Sequence, residues 1–372
     1  MKTKNFYSAG KYYSIFRNCF GMISFALFCL TVFSCDTTEP GDYKVDLNPK
    51  LHSVFYWGYS GPGEQTPNVG QSVGPPILNA TWTHANIITF TTSFLDESDI
   101  LRKGIFEIEI NPDDYSLVNN EYHIYEYGHD ILEMSYINST DEFLLLVYKD
   151  GNTEALTARL EGDNIIEKEV LVDNSWSVEG IKIWNKEAIF IFYGRNPQTG
   201  IAGFYFLVKD SNNTYQKELI YAIEDPGLDR INFITSYDGK TLYFGLNENS
   251  KNYYGTMQLL KLSLTEEGAM PIVILERKGG YIDVAQNPMD QSLLLVNYYN
   301  GNEPQGHIEL FNSVTYESID LNVRTITSKY YFITNKHPSW SPNGKHFTFS
   351  AGGFSGEGDT YYPDLWIYEN VP

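Results

Sequence analysis

The chain has 372 residues, of which 42% are hydrophobic and 15% aromatic, with 26 Lys+Arg set against 47 Asp+Glu. A formal net charge of −21 argues against nucleic acid and against an anionic membrane surface as direct electrostatic partners. The cysteines are Cys19, Cys29 and Cys35, so everything beyond residue 35 lacks a thiol and must rely on its core rather than on disulfides.

At the N-terminus, Lys2, Lys4, Lys11 and Arg17 form a basic segment without an acidic residue. Residues 21–33 are an apolar run, too short for the ~20-residue helix that spans a bilayer. The run ends in Val32-Phe33-Ser34-Cys35, which resembles a bacterial lipobox. The resemblance implies a lipoprotein signal peptide over 1–34, cleaved before Cys35, with Cys35 then acylated. More than one acyl chain is needed for stable anchoring. Residues 36–49 are mostly polar, with two prolines, and are expected to be a flexible tether after the lipidated cysteine. Without the four basic residues, 22 Lys+Arg face 47 Asp+Glu, a balance of −25.

From there on the chain repeats itself. Ile87, Phe143, Ile189, Leu242, Leu293 and Phe347 head equivalent apolar strands at separations of 56, 46, 53, 51 and 54 residues. Inner strands are predicted to begin near Ile77, Ile131, Val178, Arg230, Tyr281 and Lys336. Second strands are predicted at 87–90, 143–148, 188–193, 241–246, 293–299 and 347–350, and third strands at 105–110, 155–160, 204–209, 257–264, 307–311 and 365–368. Phe106, Ile108 and Ile110 alternate with Glu107 and Glu109, the period of a half-buried strand. The second strands are more continuously apolar, as strands packed on both faces require. Asp238-Gly239 and Asn343-Gly344 supply the positive φ that tight hairpins need. An all-strand repeat of this length, without an amphipathic helix, predicts a six-bladed β-propeller over 50–372.

Two stretches make a resemblance specific. His337-Pro338-Ser339-Trp340-Ser341-Pro342-Asn343-Gly344-Lys345, followed by Asp364-Leu365-Trp366-Ile367-Tyr368, resembles the WD40-like repeat of TolB-type propellers. Ser236-Tyr237-Asp238-Gly239-Lys240 is a second, weaker copy. The resemblance implies a periplasmic or surface binding platform; similar modules also precede the hydrolase domain of prolyl-oligopeptidase-type peptidases. The last repeat has three strands and no fourth. Residues 50–57 are strand-like, and they are predicted to close the ring by pairing antiparallel with 365–368, with Phe55 near Trp366.

Strand alternation puts the loops between second and third strands on one face, together with the links between blades. These loops read as long at 91–104, 194–203, 247–255, 300–306 and 351–364, and the link at 58–76 is rich in Gly and Pro. Loops carry function more often than scaffolds. The same face collects Trp57, Tyr59, Tyr253, Tyr254, Tyr298, Tyr299, Tyr361 and Tyr362, rings suited to stacking on peptide or sugar. Catalytic signatures are missing: there is no GxSxG, HExxH, P-loop or CxxC, and the seven histidines have no metal-ligand spacing. No catalytic residue, metal site or cofactor is therefore expected.

The sequence thus points to a non-catalytic, lipid-anchored monomer of the bacterial cell envelope, placed at the outer membrane. Its expected partner is an envelope protein or peptide, with no nucleic acid and with membrane contact only through acyl chains on Cys35. A surface glycan-binding lipoprotein is the alternative. A hydrolase or lactonase with a channel metal is the third reading, since ligands scattered over several blades leave no local motif.

Overall fold

The computed structural model describes residues 50–56, 78–95, 101–184, 189–212, 214–223, 231–247, 255–279, 282–299, 306–323, 330–355 and 361–372. The predicted signal peptide and tether (1–34 and 35–49), with Cys35, lie outside them, as do Trp57, Tyr59, Tyr253 and Tyr254. All described residues belong to the compact unit Asp46–Pro372.

Among the described residues there are strands and no helix. Blade one is β2 (Leu78–Trp82), β3 (Ile87–Leu95), β4 (Leu101–Ile110) and β5 (Leu117–Glu126). Blade two is β6 (Asp130–Ile137), β7 (Glu142–Lys149), β8 (Asn152–Glu161) and β9 (Asn164–Val172). Blade three is β10 (Ser177–Ile183), β11 (Phe190–Arg195), β12 (Ala202–Lys209) and β13 (Tyr215–Ala222). Blade four is β14 (Phe233–Thr235), β15 (Thr241–Asn247), β16 (Thr256–Ser263) and β17 (Ile272–Lys278). Blade five is β18 (Ile282–Gln286), β19 (Leu293–Tyr299), β20 (Gly306–Asn312) and β21 (Ser318–Asp320). Blade six is β22 (Tyr330–Trp340), β23 (Phe347–Ser355) and β24 (Tyr361–Tyr368), completed by β1 (Leu51–Tyr56). Blades one to five are antiparallel sheets in chain order and blade six runs β22-β23-β24-β1; one parallel bridge, Glu126 to Asn164, links the outer strands of blades one and two. The inner strands β2, β6, β10, β14, β18 and β22 touch one another in that order, and β22 touches β2 again. The chain is a six-bladed β-propeller.

Ring closure follows the expected antiparallel pairing. Leu51 opposes Tyr368, Ser53 opposes Trp366 and Phe55 opposes Leu365, with a bulge between Ser53 and Phe55. The Glu369 amide then donates to the Lys50 carbonyl at 2.9 Å, extending the ladder past the strand end. Pairing removes the row of open backbone groups that a three-stranded last blade would leave.

Packing explains why the second strands are so apolar. Six buried hydrophobic clusters fill the six junctions between neighbouring blades. Phe190 and Phe192 of blade three pack with Leu144 and Leu146 of blade two. Phe204 of blade three packs with Phe233 and Phe244 of blade four, the Phe204 and Phe244 centroids lying 4.9 Å apart. At the closing junction, Val54, Leu365 and Ile367 of blade six pack on Phe90, Phe106 and Ile108 of blade one. A strand sandwiched this way has no polar face, and each large side chain buried is worth about 1.5–3 kcal/mol.

Two expectations need correcting. The stretches 91–104 and 351–364 are not long loops. β3 and β4 pair from Ile87↔Glu109 out to Leu95↔Leu101, and β23 and β24 pair from Phe347↔Tyr368 out to Phe354↔Tyr361. Both are long hairpins. Of the inner-strand starts, the one expected near Arg230, itself outside the described residues, is found at Phe233, and the one expected near Lys336 is found at Tyr330.

Candidate functional site

Each inner strand runs toward a tight turn into the second strand. In blade six the Ser341 hydroxyl donates to Asn343 Oδ1 (2.8 Å), accepts from the His346 amide (3.0 Å), and Asn343 Oδ1 accepts from the Lys345 amide (3.0 Å). In blade four Ser236, Asp238, Lys240 and Thr241 repeat the arrangement, at 2.6, 2.9 and 3.0 Å. Gly344 and Gly239 close the two turns at φ of 67° and 70°. The two stretches that carry the sequence resemblance are thus one turn built twice.

The C-terminal halves of the six inner strands enclose an axial cavity of about 670 Å³ that opens toward these turns. This volume lies in the range of small-ligand pockets. Three tryptophans line it, Trp82, Trp184 and Trp340, each at or just beyond an inner strand end. Its ionisable groups include Glu133 and Lys182 from blades two and three, and Asp283 and His337 from blades five and six.

Polar side chains here bridge every blade boundary. Asn79 Nδ2 donates to the Leu132 carbonyl (3.3 Å), from blade one to two. Glu133 accepts from the Ile181 amide (2.9 Å) and forms an ion pair with Lys182, joining two to three. The Thr235 hydroxyl donates to the Ile183 carbonyl (2.6 Å), and Trp184 Nε1 donates to the Gly239 carbonyl (2.7 Å), joining three to four. Asn232 Nδ2 donates to the Ile282 carbonyl (3.1 Å), and Gln286 Oε1 accepts from the Tyr237 amide (2.8 Å), joining four to five. Asp283 accepts from the His337 amide (2.9 Å), its Oδ2 lying 3.5 Å from His337 Nδ1. Trp340 Nε1 donates to the Ala285 carbonyl (3.1 Å), also between five and six. Ser339 and Thr81 hydroxyls meet at 3.5 Å and complete the circle.

Two of these residues sit in strained backbone. Asn79 and His337 have φ of 54° and 52°. Each lies in a bulge, between Leu78 and Thr81 and between Lys336 and Ser339. The two bulges superpose in sequence, Leu78-Asn79-Ala80-Thr81-Trp82 against Lys336-His337-Pro338-Ser339-Trp340. A non-glycine residue at positive φ costs about 1–3 kcal/mol and persists where its surroundings hold it. Here the inter-blade bonds of Asn79 and His337 do so. Also in the cavity, burial and a hydrogen bond to Asp141 push the Tyr136 phenol up to about 12. Among the described residues no group of three or more His, Cys, Asp or Glu could hold a metal ion.

Of the aromatic residues singled out in the sequence, Tyr298, Tyr299, Tyr361 and Tyr362 fall on strands. Tyr298 and Tyr299 end β19, and Tyr361 and Tyr362 begin β24 opposite Phe354 and Gly353. Tyr298 is committed to its own scaffold. Its phenol donates to Glu309 Oε1 (3.0 Å), its ring stacks on His307 (5.0 Å, 9°), and Arg277 lies 5.8 Å over it. Burial and the Glu309 carboxylate hold that phenol well above its ordinary value. No cavity residue is among the site residues expected from sequence, although His337 and Trp340 stand in the TolB-like stretch and Trp82 and Trp184 each stand five residues before the landmark isoleucines Ile87 and Ile189. That recurrence was the available signal.

No protein-family model matches the chain, and no curated protein matches it. Among solved structures it is similar to TolB from Acinetobacter baumannii at 12% identity, over 81% of this chain and 65% of that one, with a TM-score of 0.46. The β-propeller domain of the Trilobed protease from Pyrococcus furiosus matches at 9% identity, over 75% of this chain and 79% of that one, TM-score 0.42. An oligogalacturonate lyase in complex with manganese matches at 11% identity, over 87% and 98% respectively, TM-score 0.42. The assignment of this chain rests on its own strand register.

Proposed function

We propose that the chain is a non-catalytic, TolB-like propeller that serves as a protein- or peptide-binding platform, held in the bacterial cell envelope by acyl chains on Cys35. One observation carries the reading. The charged side chains of the axial cavity are spent on one another, Glu133 on Lys182 and Asp283 on His337, and both pairs bridge blades. Such groups hold a ring and present a shaped, electrically balanced surface; a general base or nucleophile needs a free partner in reach of substrate. The doubled Ser–Asn/Asp turn of blades four and six supports the TolB-type resemblance. The lipobox-like Val32-Phe33-Ser34-Cys35 supports the anchor.

The test is capture. The chain from residue 36 onward, immobilised, is challenged with detergent extracts of the envelope of the source bacterium. A saturable polypeptide partner recovered over a control propeller is the expected result. Recovery of background alone, or turnover of lactone or ester substrates by the purified chain, would sink the reading.

A further inference from the structure

The face around the cavity mouth is not uniform. It is made of turns between first and second strands and of turns between third and fourth strands. In blades four and five these are residues 236–240 and 264–271, and 287–292 and 313–317. They carry Tyr237, Met270, Met289, Val314 and Tyr316, exposed by 52, 71, 72, 69 and 55%. Among the described residues, the equivalent turns of the other four blades carry no exposed large hydrophobic side chain. Two exposed methionines and two tyrosines in one sector are the composition of an interface, since Met adapts its shape and Tyr adds area at low entropy cost.

Hydrogen bonds make these turns one continuous surface. The Leu264 amide donates to the Lys240 carbonyl (2.8 Å), tying the two turns of blade four. The Ser313 amide donates to the Ser292 carbonyl (2.8 Å), tying the two of blade five. Tyr237 and Gln286 join one blade to the other.

Charge decides what covers the patch. The four turns carry Asp238, Glu266, Glu267, Asp290 and Glu317, all exposed, against the single cation Lys240, which lies 3.9 Å from Asp238. A second copy of this chain, related by a two-fold axis, would bring these carboxylates together. An anionic lipid surface would be repelled. We infer that the turns of blades four and five dock a polypeptide segment whose apolar side chains are flanked by lysine or arginine. The inference rests on the binding-platform reading and gives it a place and a partner chemistry.

The probe is a fluorescent leucine–lysine peptide, with a leucine–glutamate peptide of equal length and phosphatidylserine vesicles as comparisons. A photo-crosslinking residue replaces Met289 in one sample and Ile201, on the opposite face, in another. The lysine peptide is expected to bind at least tenfold tighter than the glutamate peptide and to crosslink from position 289 and not from 201. Met270→Ser with Met289→Ser, and separately Glu266→Lys with Glu267→Lys, should each weaken it about tenfold at unchanged melting temperature, the scale of a significant interface contact. Crosslinking from 201, equal binding of the two peptides, or vesicle binding lost in the same variants would overturn the inference. An envelope partner captured equally well by the Met270→Ser/Met289→Ser protein would remove this surface and leave the platform reading standing.

Discussion

The indole N–H of Trp184 donates to the backbone carbonyl of Gly239, 2.7 Å away and 55 residues further along the chain. Asn287 Nδ2 donates in the same way to the Gly344 carbonyl at 2.8 Å, from blade five to the turn of blade six. Blade-to-blade order is therefore set at the turns as well as in the apolar junctions. A Cβ on Gly344 would lie 2.5 Å from Asn287 Oδ1, whereas one on Gly268 would meet nothing within 4 Å, at nearly equal φ of 67° and 70°. Gly268→Ala should cost about 1 kcal/mol from backbone strain alone. Gly344→Ala should cost about 3 kcal/mol, because the clash adds to the strain. Paired denaturant titrations read the difference; equal losses would show that the joint does not matter.

His346 makes the closing seam sensitive to acid. Its Nδ1 accepts from the Asn370 amide (3.2 Å), with the Tyr115 hydroxyl also 3.2 Å from it, so the bonded form is the neutral one. Burial holds its pKa below the ordinary 6.5, with Lys345 and His52 also lowering it and Glu369 opposing them. The unfolded chain then binds the proton first. The stability that His346 contributes is full above about pH 6.5 and is lost as pH falls below it toward the depressed value. His346→Asn keeps an acceptor and cannot titrate. Its melting temperature should fall less than that of the parent between pH 7 and 5, and parallel profiles would refute the role.

Much of this architecture was legible. Leu293–Tyr299 fell where the apolar run placed it, because a strand packed on both faces writes itself as an unbroken hydrophobic stretch. Ring closure by Leu51–Tyr56 was legible by counting, since five repeats own a fourth strand and the sixth does not. The bulges at Asn79 and His337 were not legible. Asn and His tolerate positive φ better than most residues, but what holds them there is bonds to neighbouring blades, which no local pattern shows. The polar ring of the cavity was hidden for the same reason. Asn79 and Leu132, or Asp283 and His337, lie some fifty residues apart, and no local pattern pairs them.

The buried Glu309 gives a third expectation. It accepts from Arg277 Nε at 3.1 Å and from the Tyr298 hydroxyl at 3.0 Å. Removing one partner leaves a charge without its counterion. Arg277→Met alone should therefore destabilise the chain by about 3 kcal/mol. Adding Glu309→Leu should recover at least half of that loss. A double variant less stable than the single would show that the pair stabilises beyond mutual compensation.

The anchor has its own test. Cys35→Ser should abolish incorporation of labelled palmitate and move the protein from the membrane to the soluble fraction. Its melting temperature should not change, because the cysteine precedes the propeller. Palmitate retained in the variant would rule out Cys35 as the lipid site.

The most direct measurement of the account compares two truncations by thermal unfolding. Deleting 50–56 strips β24 of its partner, removes the buried Val54, and uncovers Leu365 and Ile367 against blade one. That is a loss of several kcal/mol and a drop of at least ~10 °C in Tm. Deleting 36–49 should leave Tm nearly unchanged. Equal melting of the two truncations would contradict a propeller closed by its N-terminal strand.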